Sequence, residues 1–318
     1  MSFAADARSE IAHAEIDRAC CARAELAAAL IASGGISFRG QGVYRLALSA
    51  PEATTIRRYF TLIKKYYGVI GEIRVVKTDR FRALTRYRLL IPDGDAHTLL
   101  AEAGLIDPNA LFGVRMAPAP TLFADPRCRA AYLRAAFLFC GTISNPEKSY
   151  HIEFAAPNEQ FAQSIIESLE YYKITAKYTC RKSKEVVYLK GSEAVSDVLT
   201  VLGAHASVLA FENIKIAKEL RNNITRQVNC DNSNINRAML SAERQIADIQ
   251  TIESELGLDR LPESLRSVAM MRMENPDISL AGLGEMMTPP LGKSGVNNRL
   301  RRIADIAGKL RSGDEIEL

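Results

Sequence analysis

Between Lys293 and Arg311 the chain sets six basic residues against one acid, Asp305. Their spacing is that of a helix. Val296, Leu300, Ile303 and Ala307 fall, at 100° per residue, within about 60° of arc. The opposite side carries Ser294, Asn298, Arg301 and Asp305, flanked by Asn297, Arg299 and Arg302. The chemistry of such a face is recognition. Arg grips guanine O6 and N7 at two points, and Asn does the same with adenine N6 and N7. An apolar inside with Asn and Arg outside is the makeup of a helix-turn-helix reader of double-stranded DNA. Base reading falls to Ser294, Asn297, Asn298 and Arg301, and phosphate contacts to Lys293, Arg299 and Arg302. The plainer alternative is a solvated helix closing a bundle, and the preceding turn is longer than the usual three or four residues.

A second basic region recurs. Residues 57–88 hold ten Lys and Arg against Glu72 and Asp79, and residues 173–190 hold six against Glu185. On strands, Arg74, Lys77, Arg86 and Arg88 in the first run, and Lys177, Arg181 and Lys190 in the second, make a surface suited to phosphates or to an acidic protein. A solvated charged face is the ordinary reading of one such run; recurrence is what argues for more. The formal net charge of +4 decides nothing alone.

Other chemistries find no support in spacing. The six cysteines, at 20, 21, 128, 140, 180 and 230, contain no Cys-x-x-Cys and read as reduced core residues. The four histidines are far apart, so no metal and no cofactor is expected. Gly34-Gly35 lacks the Lys-Ser/Thr of a phosphate loop, and no small-molecule substrate is expected. No signal peptide is evident. The most apolar stretch, Leu26 to Ile36, is far too short to cross a bilayer, so a cytoplasmic, nucleoid-associated protein without a membrane partner is expected.

The elements that must position these residues are copied. Residues 21–104 and 128–203 repeat one unit: Tyr44, Ala50 and Pro51 match Tyr150, Ala156 and Pro157, and Gly104 falls over Gly203. Each copy reads as an Ala-rich helix ending in glycine, a hairpin, a helix opened by proline, a second hairpin and a short closing helix. The αββαββα order, doubled, predicts an α+β fold of two halves about a pseudo-two-fold axis. This domain takes residues 1–221. An amphipathic helix over 206–221 is followed by Asn-rich RNNITRQVNCDNSNIN, read as a break in the periodic pattern, and then by a second helix ending at Gly257. Residues 222–258 are thus linker and linker helix, and 259–318 an all-α helix-turn-helix domain.

The αββαββα order, led in each copy by small residues, resembles the LAGLIDADG homing-endonuclease fold. The resemblance implies that the two leading helices pack side by side, with Ala27, Ala28, Ala29, Ala135 and Ala136 in the seam, and that the sheets form a basic β-saddle. It also places Gly34 and Gly141 where the family carries its catalytic acids. No Asp or Glu lies between Leu26 and Phe38 or between Leu133 and Pro146. Metal-assisted phosphodiester cleavage needs hard oxygen ligands, and glycine offers only a carbonyl. A scaffold without nuclease chemistry, not an enzyme, is therefore expected. A nuclease using acids elsewhere, such as Glu72 or Glu147, is the rival.

The segment SLAGLGEMMTPPLGKSGVNNRLRRIADIA narrows the resemblance. Ser279, Leu280, Leu283, Gly284, Pro289, Pro290, Lys293, Ser294, Gly295, Val296, Arg299, Leu300 and Arg301 meet the SLxELG…PPxxKSGVxxRLRK signature of the WhiA family of bacterial regulators. Gly282 departs from the usual Glu and Arg302 from Lys. The match spans nearly the whole chain. It implies a sequence-specific DNA-binding transcription regulator linked to cell division and, in some lineages, sporulation. The further alternative is a protein-interaction scaffold in which only the helix-turn-helix touches DNA.

Overall fold

The computed structural model describes residues 2–16, 18–39, 43–78, 84–181 and 184–314. They fall into two compact units, divided between Glu219 and Leu220.

The first unit opens on α1 (Phe3–His13), which the sequence reading did not anticipate. The first copy then follows as α2 (Ala19–Ala32), β1 (Ile36–Phe38), β2 (Tyr44–Ala50), α3 (Ala53–Tyr67), β3 (Glu72–Thr78), β4 (Leu84–Leu90) and α4 (Asp93–Glu102). The second repeats it as α5 (Pro126–Cys140), β5 (Gly141–Ile143), β6 (His151–Ala156), α6 (Glu159–Tyr171), β7 (Lys177–Arg181), β8 (Lys184–Lys190) and α7 (Ser192–Leu202). Both sheets are antiparallel with the same order, β1-β2-β4-β3 and β5-β6-β8-β7. The doubled αββαββα fold is as the sequence predicts.

Small residues set the centre. Ala27, Ala28, Ala29, Ala135 and Ala136 are all fully buried where α2 runs along α5, the most extensive helix–helix contact in the unit. Methyl side chains let the two backbones approach closely. From each sheet one face turns to this core: Leu46, Leu48 and Leu89 in the first, Ile152, Phe154, Val187 and Leu189 in the second.

Local chemistry punctuates both copies alike. The helix after each first hairpin ends in a left-handed residue: Gly68 at φ 69° after α3, and Lys173 at φ 61° after α6. The prolines lie further out than expected. Glu52 and Asn158 are the N-caps, so Pro51 and Pro157 precede the caps and do not open the helices. Asn158 accepts a 2.8 Å hydrogen bond from the Phe161 N–H, the satisfaction of an orphan donor that favours Asn there.

The Asn-rich segment is not a break. α8 (His205–Glu255) is one helix of 51 residues. No Pro or Gly occurs between Gly203 and Gly257 to stop it. The hydroxyls of Thr225 and Ser233 donate back to the carbonyls of Arg221 and Asn229, so these polar side chains bond within the helix instead of opening a turn. The second unit then adds α9 (Glu263–Glu274), α10 (Leu280–Met286) and α11 (Lys293–Ser312). Its core gathers Ile249 and Ile252 from α8, Leu265, Val268 and Ala269 from α9, Leu283 from α10, and Val296, Leu300, Ile303 and Ala307 from α11.

Candidate nucleic-acid interface

α11 buries the apolar side that its spacing requires. Val296, Leu300, Ile303, Ile306 and Ala307 face the core. Ser279 caps α10, its hydroxyl accepting from the Gly282 N–H at 3.1 Å. Gly284 lies against the turn that follows: a Cβ there would come 2.0 Å from the Leu291 carbonyl oxygen. Only glycine admits that approach, and it draws the turn leading into α11 onto α10.

The outer side of α11 is open. Lys293, Ser294, Asn298, Arg301 and Arg302 are exposed, while Asn297 and Arg299 are half-buried at its margins. None of these seven side chains forms a hydrogen bond or ion pair with another described residue. Unspent donors on one rigid face are what a groove-reading helix needs. The far end of α11 is fixed instead: Arg311 donates to Asp248 at 2.6 Å and to Thr251 at 3.1 Å on α8.

Strand register sorts the basic residues of the first unit. Arg74 pairs with Arg88, and Val76 with Arg86, so Arg74, Arg86 and Arg88 share the outer face of the first sheet. Lys77 pairs with Thr85, on the same side as Tyr87 and Leu89. It therefore points to the other face and leaves the set assigned to the saddle. Arg74 is also partly spent, donating twice to Glu72 at 2.8 Å. Its hydrogen bonds hold the exposed Glu72 carboxyl below the usual range. In the second sheet Lys177, Arg181 and Lys190 all fall on the outer face with Tyr188. The Arg181 and Lys190 charges lie 5.8 and 5.5 Å from the Tyr188 ring centroid. Tyr188 and Arg45, outward on β2 opposite Ser37, were not singled out from sequence. The alternation of β2 and β8 carried that signal.

Gly34 and Gly141 occupy equivalent feet of the two central helices. Ile36 pairs with Leu46 and Ile143 with Ile152, each two residues beyond its glycine. Gly34 is left-handed at φ 61°. Gly141 is buried at ordinary extended φ, but a Cβ on it would lie 2.5 Å from a Phe137 ring carbon and 2.7 Å from the Phe137 carbonyl oxygen. Its own carbonyl accepts from the Arg8 guanidinium on α1, which also donates to Leu138 O at 3.4 Å and pairs with Glu52 at 3.5 Å. A cation of the chain thus already holds the one ligand atom that Gly141 could offer. Glu72 is on β3 and Glu147 in the β5–β6 turn, and among the described residues neither joins a cluster of three metal-ligating side chains.

The cysteines divide. Cys21 and Cys128 are buried and Cys140 half-buried, but Cys20, Cys180 and Cys230 are exposed, so only part of the set is core. No described helix is long and apolar enough to cross a membrane.

A doubled αββαββα unit closed on an alanine seam defines a LAGLIDADG-type scaffold, and the helical unit beyond it is of the helix-turn-helix class. Family models divide the chain along the same lines: the WhiA N-terminal LAGLIDADG-like domain over residues 19–106, the WhiA LAGLIDADG-like domain over 129–221, and the WhiA C-terminal HTH domain over 224–307. The chain belongs to the WhiA family. Relatives named "Probable cell division protein WhiA" include that of Desulforamulus reducens, 39% identical over 99% of this chain and 98% of the relative, and that of Clostridium botulinum, 39% identical over 98% and 100%. In fold it is similar to the crystal structure of full-length DUF199/WhiA from Thermatoga maritima, at a TM-score of 0.59 and 22% identity, covering 97% of this chain and 99% of that one.

Proposed function

We propose that the protein is a sequence-specific DNA-binding transcription regulator, linked to cell division and sporulation, whose LAGLIDADG-like unit does not cut DNA. The observation that carries the reading is the outer face of α11, where Asn298 and Arg301 stand exposed and unpaired above a fully apolar inner face. The names of the relatives and the helix-turn-helix match support it. Ser294, Asn297, Asn298 and Arg301 read base edges, and Lys293, Arg299 and Arg302 hold phosphates and fix register. The outer sheet faces add sequence-independent affinity through Arg86, Arg88, Lys177, Arg181 and Lys190.

The non-cutting reading rests on the glycines at both acid positions and on Arg8 seated at the Gly141 carbonyl. It is tested by incubating supercoiled DNA with the protein and Mg²⁺ or Mn²⁺. Intact plasmid is expected. Metal-dependent nicking that is lost on Glu72→Gln or Glu147→Gln would sink it.

A second reading gives the sheet faces an acidic protein partner and leaves DNA to α11 alone. The Arg74–Glu72 pair lowers the charge available to phosphates on this face, so that part of the sheet contributes less sequence-independent affinity for DNA. Footprinting of the full chain on genomic fragments, with and without neutralised strand residues, separates the two.

A further inference from the structure

Three thiols that no spacing rule connects meet at one end of the central helix pair. Cys20 and Cys21 lie in the first turn of α2 and Cys128 in the first turn of α5. Cys21 and Cys128 are each the third residue of their helices, so the repeat sets like against like across the pseudo-dyad. Their sulfurs are 3.9 Å apart, and all three sulfurs lie within 4.8 Å of one another. A cation about 2.3 Å from each of three sulfurs spaces them roughly 3.8–4.0 Å apart. The Cys21–Cys128 pair already has that spacing. Cys20 is exposed, and its side leaves an entry path from solvent.

The surroundings suit thiolates bound to a cation. Neither helix carries an acid in its first turn, and the N–H dipoles of both first turns favour negative charge. Asp125, the N-cap of α5, is engaged by Arg18 at 3.2 Å and by Arg127, which leaves the sulfurs as the donor set. Burial opposes the thiolate form by raising the thiols of Cys21 and Cys128, a cost that metal–sulfur bonds offset. An all-sulfur set selects soft cations over Mg²⁺ or Ca²⁺.

We propose that Cys20, Cys21 and Cys128 form a binding site for one thiophilic d¹⁰ cation, Zn(II) or Cu(I), which clasps the N-terminal ends of α2 and α5. Binding replaces three S–H bonds with three metal–sulfur bonds and releases three protons to solvent, so no oxidant or reductant enters. The clasp closes the seam at the end away from Gly34 and Gly141. It ties residues 107 positions apart in sequence.

The test uses the full chain in a Cys180→Ser, Cys230→Ser background, which removes two exposed lone thiols. The reduced protein is titrated anaerobically with Zn(II) and, separately, Cu(I), each against a chromophoric chelator. One equivalent of one cation is expected to resist the chelator and to raise the melting temperature. Cys128→Ser should abolish retention. Because Cys128 is buried and its loss could unsettle folding, Cys20→Ser is the second variant. It should weaken retention by more than about tenfold, since loss even of a group that only supports a ligand costs about that much, with the melting temperature of the metal-free protein unchanged. Failure to retain either cation, or equal retention by both variants, would overturn the proposal. So would a reduced protein that takes up no cation and on aeration joins Cys128 to Cys20 or Cys21 as a disulfide.

Discussion

Arg58 holds Glu25 by two parallel hydrogen bonds, Nε to Oε1 at 2.7 Å and Nη2 to Oε2 at 2.9 Å, with the carboxylate wholly removed from solvent. The remaining nitrogen of the guanidinium donates to the Ala12 and Ala14 carbonyls at the end of α1. One pair thus locks α2, α3 and α1 together. Burial pulls the Arg58 pKa down, but the Glu25 charge and its hydrogen bonds together outweigh it, and the group ends above its ordinary value.

Breaking that pair is therefore expected to cost more than removing it. Glu25→Ala leaves an uncompensated buried guanidinium and should lower stability by about 3–5 kcal/mol. Replacing both residues with leucine should cost markedly less. Urea denaturation of the single and double variants checks this, and equal losses would mean that the pair is not energetically coupled.

The alanine seam should reject bulk. Ala28→Leu or Ala135→Leu inserts three carbons where the helices touch and is expected to cost about 1–3 kcal/mol. Thermal melts of each variant give the answer. Unchanged melting in both would show that the α2–α5 contact has slack.

The α11 face and the strand faces should fail differently. Asn298→Ala and Arg301→Ala are expected to cost on the order of 1–3 kcal/mol on the preferred site and to blunt discrimination between sites. Neutralising Arg86, Arg88, Lys177, Arg181 or Lys190 should weaken binding to all sequences alike. Each lost phosphate contact should flatten the slope of log K against log salt by about 0.9. Lys77→Ala, on the other sheet face, should change neither. Salt titrations on specific and random duplexes read all three groups of variants. An intact site preference in the α11 variants would remove that helix as the reader.

Glu10 gives the first unit a pH dependence whose sign follows from its hydrogen bonds. Its carboxylate accepts from the Ala206 and Ser207 N–H groups at 2.7 and 2.9 Å and from the Ser207 hydroxyl at 2.6 Å, capping α8 from across the chain. Burial pushes its pKa up, but these hydrogen bonds outweigh burial and leave it below the ordinary 4.5. A lowered carboxylate pKa stabilises above the unfolded value, and that stability is lost as pH falls through the folded one. Wild type should thus exceed Glu10→Gln in stability near about pH 7, with the gap closing toward about pH 3. A gap that is constant with pH would assign the effect to geometry alone.

The repeat was legible because glycine, proline and strand alternation punctuate both copies at the same places. Gly68 and Gly203 end helices in left-handed geometry, and the position equivalent to Gly68 even forces Lys173 to φ 61°. The face of α11 was legible because 3.6-residue spacing sorts inside from outside without reference to any partner. What spacing cannot report is long-range contact. Arg8 on the Gly141 carbonyl, the Glu10 cap and the Cys20–Cys21–Cys128 meeting each join residues more than a hundred positions apart. α8 was misread for a different reason. Asn and Ser favour turns only when their side chains bond to a non-helical backbone, and here Ser233 bonds within the helix. Lys77 was misassigned because charge alone does not reveal the strand parity that the Lys77–Thr85 pairing fixes.

The close fit of Phe137 around Gly141 acts as a ratchet. A single base change turns a glycine codon into one for aspartate, so restoring a carboxylate looks only one step away. At Gly141 that step meets main chain at 2.7 Å, and a new carboxylate would also face Arg8 as a competitor for any metal. At Gly34 there is room, but the left-handed backbone opposes a side chain. Recovering paired acids would require remodelling the ends of both central helices together, and each half-step would cost stability while yielding no cleavage. The way back to paired acids is thereby narrow, whereas side chains on the sheet faces and the outer side of α11 can be exchanged without disturbing the core.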